Sequence, residues 1–270
     1  MKTKLMLMTA FVSAALAASG QNKATDDWAK GQLDKSPRHR EWVDVKNGNR
    51  TVHCYIVYPE VKDPAAAVVV IHEIFGLTPW AREAADEVAA AGCIAIAPDL
   101  LTGAGPNGGD SKDFTSTDDA ISAIHNLPPD QITGDLNAAA DYVKTLPSAN
   151  GKLAVGGFCW GGGETFRFAG HRADLKAAFV FYGSAPSWSD MKTIQCPVYG
   201  FYGGKDARIS ASVPATKRQM KAAGKTYKPV TYEGAGHGFM RSGDLPDADA
   251  PNKKAHDEAW ERLKTLLSGL

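Results

Sequence analysis

The chain has 270 residues, of which 44% are hydrophobic and 22% are charged, a composition that fits one large globular domain. Its 30 basic and 30 acidic residues cancel, and no basic run indicates a nucleic acid or a membrane surface as a partner. The four cysteines form neither a CxxC pair nor a Cys/His zinc spacing, so neither a disulfide scaffold nor a metal site is predicted.

The chain begins with the features of a secretory signal peptide. Two lysines precede an apolar run, Leu5–Ala18, which ends in small residues. This run is shorter than the roughly 20 residues that span a bilayer. We therefore expect a signal peptide over residues 1–17 and a periplasmic or secreted protein, with no membrane contact after the signal is removed. We also expect the protein to be a monomer.

A polar stretch over residues 18–40 is expected to form an N-terminal extension on the surface, ahead of a single domain over residues 41–270. Residues 50–59, RTVHCYIVYP, alternate polar and apolar residues as a strand with one wet face does. Five further runs are almost continuously apolar, which is typical of strands buried on both faces of a parallel sheet. These runs are AAAVVVIHE (65–73), CIAIAPDL (93–100), KLAVGGF (152–158), AAFVFYG (177–183) and CPVYGFYG (196–203).

Helical patterns fall between these strands. In residues 78–92, Thr78 is placed to cap a helix, Pro79 suits its first position and Gly92 suits its end. Residues 132–146, 214–224 and 253–270 also have helical patterns. The alternation predicts the α/β class, with a mainly parallel central sheet and helices on both faces.

One long loop rich in Gly, Asp and Ser, Leu100–Asp119, follows the carboxyl end of a predicted strand. It is expected either to border an active site or to be a plain solvent loop.

The segment Gly157-Phe158-Cys159-Trp160-Gly161 joins a predicted strand to a predicted helix. This is the glycine-flanked pattern of a nucleophile elbow, with cysteine at the reactive position. A helix N-terminus favours the thiolate form of a cysteine. A packed cysteine in a tight turn is the alternative for this pattern taken alone.

A nucleophile elbow of this kind requires an acid and then a histidine later in the chain. Asp206 follows the apolar strand 196–203, and His237 lies between glycines after a further strand. Each residue alone would be read as a turn aspartate or a loop histidine, but together with Cys159 they have the order of a catalytic triad. The other six histidines lack this setting, although His72 belongs to a motif of its own, IHEIFGL.

An oxyanion hole needs two backbone N–H groups, one after the nucleophile and one from the loop after the third strand. Here these belong to Trp160 and Ile74. Glu73 would face the elbow, where its charge would favour the protonated sulfur and would have to move away as the thiolate forms. The alternative for Glu73 is a buried acid that bonds the loop backbone.

Six motifs together resemble the dienelactone hydrolase family of α/β-hydrolases. They are collinear, and HEIFGL with GFCWGG is the specific part of the match. The motifs are HEIFGL (72–77), APDL (97–100), GDLNAAADY (134–142), GFCWGG (157–162), GGKD (203–206) and AGHGF (235–239).

The resemblance implies a Cys159, His237 and Asp206 triad, and a Glu73 that contacts the thiol at rest and is displaced by substrate. It implies hydrolysis of carboxylic esters or lactones, small-molecule substrates, with no metal and no cofactor. It also assigns Arg241 to a substrate carboxylate, with a solvated arginine as the alternative.

This sequence departs from the family pattern after APDL. Dienelactone-specific members have a tyrosine and a second arginine there, whereas this chain has LTGAG (101–105). Arg82, on a predicted helix, cannot be assumed to replace that arginine. A broader ester or lactone substrate is therefore expected.

Three other functions fit the same residues. A thioester or small-amide hydrolase would use the same site. A non-catalytic binding protein of this fold would usually have lost a triad residue. A redox role would oxidise Cys159, whereas Cys54, Cys93 and Cys196 are expected to be buried free thiols.

Overall fold

The computed structural model describes residues 23–270, and the predicted signal peptide over residues 1–17 lies outside them. Eight strands form one sheet: β1 (Arg40–Asn47), β2 (Arg50–Val57), β3 (Ala65–Ile71), β4 (Ile94–Pro98), β5 (Ala149–Phe158), β6 (Leu175–Phe181), β7 (Val198–Gly203) and β8 (Tyr227–Tyr232). The described helices are α1 (23–35), α2 (Pro79–Ala90), α3 (Thr117–His125), α4 (Pro129–Thr145), α5 (Trp160–His171), α6 (Trp188–Thr193), α7 (Ala207–Ser210), α8 (Val213–Ala222), α9 (Phe239–Ser242) and α10 (Ala250–Leu267).

The strands lie in the order β1-β2-β4-β3-β5-β6-β7-β8. The β1–β2 and β2–β4 pairs are antiparallel, and every pair from β4 to β8 is parallel. The predicted mainly parallel sheet is therefore confirmed. Its parallel part brings the carboxyl ends of six strands to one edge, where ligands bind in open α/β sheets.

Two apolar layers cover the two faces of the sheet, as predicted. One layer contains residues of α4, α5, α6 and α8, and the other contains residues of α1, α2 and α10. Strand β3 shows how its continuous apolar sequence serves both layers, because successive side chains point to opposite faces. Val69 and Ile71 belong to the first layer, whereas Val68 and Val70 belong to the second.

The described part of the N-terminal extension packs on the domain. Helix α1 buries Ala29 completely in the layer that also holds α2. Strand β1 then forms a hairpin with β2 through Gly48, whose φ of 57° suits glycine. Among residues 23–270, no helix has the length and apolarity needed to cross a membrane.

The thiols of Cys54, Cys93, Cys159 and Cys196 are all free. Three of them, Cys54, Cys93 and Cys196, are buried, as expected for cysteines in the apolar core.

Candidate active site

The turn between β5 and α5 holds Cys159 in a strained conformation. Its φ is 57° and its ψ is −116°, a region that non-glycine residues rarely adopt. The backbone of Cys159 is fixed on both sides, because its N–H donates to the Phe181 carbonyl at 3.0 Å and its carbonyl accepts from Gly163 N–H at 3.2 Å. This geometry lifts the thiol to the carboxyl edge of the sheet, as a nucleophile elbow does.

Glycine at position 161 allows the close approach that the elbow requires. A Cβ atom there would lie 2.2 Å from the carbonyl oxygen of His72, at the end of β3. The start of α5 therefore packs backbone to backbone against the loop after β3. Contact of this kind brings the predicted oxyanion-hole loop beside the predicted nucleophile.

The structure brings Cys159, His237 and Asp206 into one hydrogen-bonded chain. The Cys159 Sγ atom lies 3.1 Å from His237 Nε2, and His237 Nδ1 lies 2.5 Å from Asp206 Oδ2. An ionised Asp206 can only accept, so Nδ1 carries the imidazole proton and leaves Nε2 to accept the thiol proton. These are the contacts that nucleophile, base and orienting acid require.

Asp206 is fixed by its own surroundings as well as by the histidine. Its side chain is 94% buried, and its second oxygen caps α7 by accepting from the Ile209 N–H at 3.3 Å. His237 lies in the loop after β8, and its side chain is one-third exposed. Asp206 is therefore held by two contacts inside the protein, whereas His237 is partly open to solvent.

The surroundings of Cys159 favour the protonated form of its thiol. Burial raises its pKa from 9.0 to about 12, with a further rise from the Glu73 charge. The nearby backbone N–H groups of Trp160 and Ile74 oppose that rise in the thiol pKa. Desolvation and the Glu73 carboxylate thus outweigh the contribution of the helix N-terminus to the thiol pKa.

The same two N–H groups are those predicted for the oxyanion hole. Trp160 and Ile74 both interact with the sulfur through the backbone. An oxygen bound to a carbon that Cys159 attacks would therefore form close to both donors. The structure thus places the two predicted donors beside the predicted nucleophile.

Glu73 does not hydrogen-bond the thiol in this structure, which differs from the contact that the resemblance implies. Its Oε2 atom accepts from Arg241 Nε at 2.8 Å, and its Oε1 atom accepts from the Tyr182 hydroxyl at 3.2 Å. The carboxylate is 96% buried, so a charged partner is needed to stabilise it there. Arg241, predicted to meet a substrate carboxylate, is paired instead with the protein's own acid.

Two residues in the site were not assigned a role from sequence. Tyr182 is fully buried with a φ of 41°, and its ring meets the His237 ring edge-on at 5.1 Å. Its position directly after β6, at the catalytic edge, is the signal that could have identified it. Tyr182 thus contacts both His237 and Glu73.

His72 holds the loop that carries Ile74. Its Nδ1 donates to the Glu73 carbonyl at 2.7 Å, and its Nε2 accepts from the Leu100 N–H at 3.3 Å. Burial lowers the pKa of His72, which keeps the ring neutral for these two bonds. Its ring also stacks on the Trp160 ring at 5.7 Å.

A cavity of about 880 Å³ lies beside this site, bordered by Arg241 and Phe75. Part of the predicted loop over residues 100–119 forms one wall of this cavity. Asp99 anchors that loop by accepting from the N–H and the hydroxyl of Ser111, at 3.0 and 2.6 Å. None of the triad residues lines the cavity itself.

Arg82 also lines this cavity. Its guanidinium lies 5.8 Å from the Trp42 ring and 5.7 Å from the Tyr55 ring. Its Nε atom is buried without a hydrogen-bond partner in the described chain. Within residues 23–270, no group of His, Cys, Asp or Glu is arranged to hold a metal ion.

Comparison with known proteins gives consistent results. The model of the dienelactone hydrolase family matches residues 52–269. A Yersinia pestis protein, provisionally named a carboxymethylenebutenolidase, is 34% identical over 222 residues, covering 77% of this chain and 80% of that protein. An Escherichia coli K12 protein with the same provisional name is 32% identical over 239 residues, covering 82% and 84%.

Solved structures show the same architecture. A Klebsiella pneumoniae structure, provisionally named a dienelactone hydrolase, has a TM-score of 0.76 and 25% identity, covering 86% of this chain and 99% of that one. Pyrococcus horikoshii acylaminoacyl peptidase has a TM-score of 0.65 at 13% identity, covering 88% of this chain and 43% of that one. The second likeness concerns the fold alone.

Proposed function

Because the chain belongs to the dienelactone hydrolase family of α/β-hydrolases, we propose that it is an exported hydrolase of carboxylic esters or lactones that acts through Cys159, His237 and Asp206. One observation carries this proposal: the unbroken contact from thiol to imidazole to carboxylate, with distances of 3.1 and 2.5 Å. The family relatives named as carboxymethylenebutenolidases support a lactone or ester as the substrate class.

The first chemical step forms a thioester with the enzyme. His237 Nε2 accepts the proton of Cys159 as the sulfur attacks the substrate carbonyl carbon, and the carbonyl π electrons move onto oxygen. The backbone N–H groups of Trp160 and Ile74 stabilise that oxyanion. As the carbonyl re-forms, the C–O bond breaks and His237 gives its proton to the leaving alkoxide.

Water completes the cycle. His237 accepts a proton from a water molecule, whose oxygen attacks the thioester carbonyl. The second tetrahedral intermediate expels the Cys159 sulfur, which regains its proton from His237, and the acid product leaves. In a lactone the alcohol and the acid belong to one molecule, so a single hydroxy acid is released.

Glu73 controls when the thiol can react in this scheme. Its ion pair with Arg241 leaves Cys159 to contact His237, whereas a Glu73 turned toward the sulfur would keep the proton on it. We infer that Glu73 exchanges between these two partners. A substrate group beside Arg241 would shift that exchange.

The cavity beside Arg241 offers space for substrate groups other than the carbonyl that Cys159 attacks. Its volume of about 880 Å³ lies in the range of sites for drug-sized ligands. The lack of the family's tyrosine and second arginine in residues 101–105 agrees with a broader ester range. Thioesters and small amides are the alternative substrates for the same triad.

The test uses purified protein with short p-nitrophenyl esters and a panel of simple lactones. Cys159→Ala should abolish turnover, and Cys196→Ala, which removes a buried thiol away from the site, should retain it. Equal turnover by Cys159→Ala and wild type would refute the cysteine nucleophile. A folded wild type that hydrolyses no ester, lactone, thioester or amide would favour a binding protein of this fold.

Export and the monomeric state are parts of the same proposal that need their own measurements. Expression of the full chain, followed by N-terminal sequencing of the periplasmic fraction, should give a protein that begins near Ala18. Size-exclusion chromatography with light scattering should give the mass of one chain.

A further inference from the structure

A second cavity, of about 470 Å³, lies between α1, α2 and α10, and no triad residue lines it. Six carboxyl groups border it, against three cationic side chains and His256. Two of these cations already form ion pairs with acids that line the cavity: Arg38 pairs with Asp86, and Lys264 pairs with Glu261. The cavity therefore has an excess of acidic groups.

Glu83 is the least compensated of these acids. Only 7% of its surface is exposed, and it forms no hydrogen bond or ion pair with any described residue, although it lines the cavity. Asp86, one turn further along α2, shows the contrast: it is equally buried but accepts from the Ser36 hydroxyl at 2.8 Å and from Arg38. A buried, unpaired carboxyl group is costly to a fold and needs an explanation.

Asp244 lines the same cavity and forms no ion pair with a lysine or arginine of the described residues. The nearest ring nitrogen, His256 Nε2, is 3.9 Å away. That nitrogen accepts from Trp260 Nε1 at 3.1 Å, while His256 Nδ1 lies 2.9 Å from Asp257. The hydrogen bonds of His256 are therefore made to Trp260 and Asp257 and not to Asp244.

Burial makes the largest contribution to the raised pKa values of the Glu83 and Asp244 carboxyl groups. The Asp244 charge raises the pKa of Glu83 further, whereas His256 and the Trp28 indole oppose the rise at Asp244. A positive charge in the cavity would return these carboxyl groups to their ionised form, because it would offset the cost of burying them.

The remaining wall residues determine which cation fits. The indoles of Trp28 and Trp260 line the cavity, and indole is the aromatic group that attracts cations most strongly. No three acidic or histidine groups in the described chain are arranged around a metal ion. A volume of about 470 Å³ is also far larger than a bare ion needs.

We propose that this cavity is a binding site for a small organic ammonium ion, held between the carboxylates of Glu83 and Asp244 and the indoles of Trp28 and Trp260. The site is separate from the triad and does not depend on the hydrolase proposal. Because α1 supplies Trp28, the bound cation would also fasten the N-terminal helix to α2 and α10.

Isothermal titration of the purified protein with tetramethylammonium chloride tests this site, with sodium chloride as the ionic-strength control. The wild type should bind tetramethylammonium saturably. Glu83→Gln should weaken binding at least about tenfold, since it removes the central charge but keeps the shape. Glu258→Gln, an exposed acid of α10 outside the cavity, should leave the affinity unchanged.

A second variant tests the same site in case the Glu83→Gln protein does not fold. Trp28→Leu should also weaken binding, and both variants should retain wild-type circular dichroism and ester turnover because neither touches the triad. Three results would overturn the site: no saturable binding to wild type, equal affinity in the folded Glu83 or Trp28 variant, or tighter binding of calcium chloride than of tetramethylammonium.

Discussion

The rate at which Cys159 is alkylated reports the pKa of its thiol. The thiol pKa of about 12, against 9.0 for an ordinary cysteine, makes the isolated thiolate about 4 kcal/mol harder to form. At about pH 8 an ordinary thiol is roughly one-tenth ionised, whereas Cys159 would be ionised in about one molecule in 10⁴. Iodoacetamide should therefore alkylate Cys159 about 10³-fold more slowly than N-acetylcysteine.

The dependence of that rate on pH is the sharper measurement. A pKa raised to about 12 predicts a rate that increases about tenfold per pH unit from about pH 7 to about pH 11 without a plateau. Mass spectrometry of the Cys159 peptide would follow the reaction, and Cys159→Ala would give the background from the buried thiols. Glu73→Gln should react faster, because it removes the like charge that raises the pKa after burial.

A plateau between about pH 6 and pH 9 would refute this reasoning. It would mean that Cys159 and His237 rest as a thiolate–imidazolium pair, with the proton already transferred across the 3.1 Å contact. Glu73 would then have no proton to hold in place. An alkylation rate in Glu73→Gln equal to that of wild type would show that burial alone sets the thiol pKa.

Two substitutions test the orienting acid and the elbow. Asp206→Asn keeps the cap of α7 but holds His237 in the wrong tautomer. The kcat for p-nitrophenyl esters should therefore fall by about 10³- to 10⁴-fold, with little change in Tm. A fall of less than about tenfold would contradict the triad. Gly161→Ala places a Cβ 2.2 Å from the His72 carbonyl and should lower the free energy of unfolding by about 2 kcal/mol in urea titrations. Gly31→Ala, with open space around it in helix α1, should instead stabilise by up to about 1 kcal/mol, and equal effects at the two glycines would show that the elbow is not crowded.

The elements that the sequence predicted well are those whose signals are local. Buried parallel strands such as β3 have continuous apolar runs, and α2 has its cap at Thr78 and its proline at position 79. The proximity of Cys159, Asp206 and His237 could be predicted because each lies within five residues of the end of a strand. Strand β1 was not predicted, since its side chains are mostly half-exposed or exposed and its pattern is weak.

The contacts around Glu73 could not be predicted in the same way. Its partners, Arg241 and Tyr182, are more than 100 residues away along the chain, and no spacing rule joins them. Sequence indicated a carboxylate near the thiol but could not decide which neighbour it would bond. Likewise, the balance between burial and the helix N-terminus at Cys159 depends on desolvation, which only the packed structure defines.

The position of β8 at the edge of the sheet has a consequence for how the protein loses activity. Only Tyr227 and Tyr232 of this strand are buried, yet the loop that follows it carries His237. Edge strands separate from a sheet at lower free energy than central ones, so fraying of β8 would disconnect the base while the rest of the domain stays folded. Inactivation should therefore precede global unfolding: in urea, turnover would be lost at a lower midpoint than far-ultraviolet ellipticity, and the enzyme would regain activity at once on dilution.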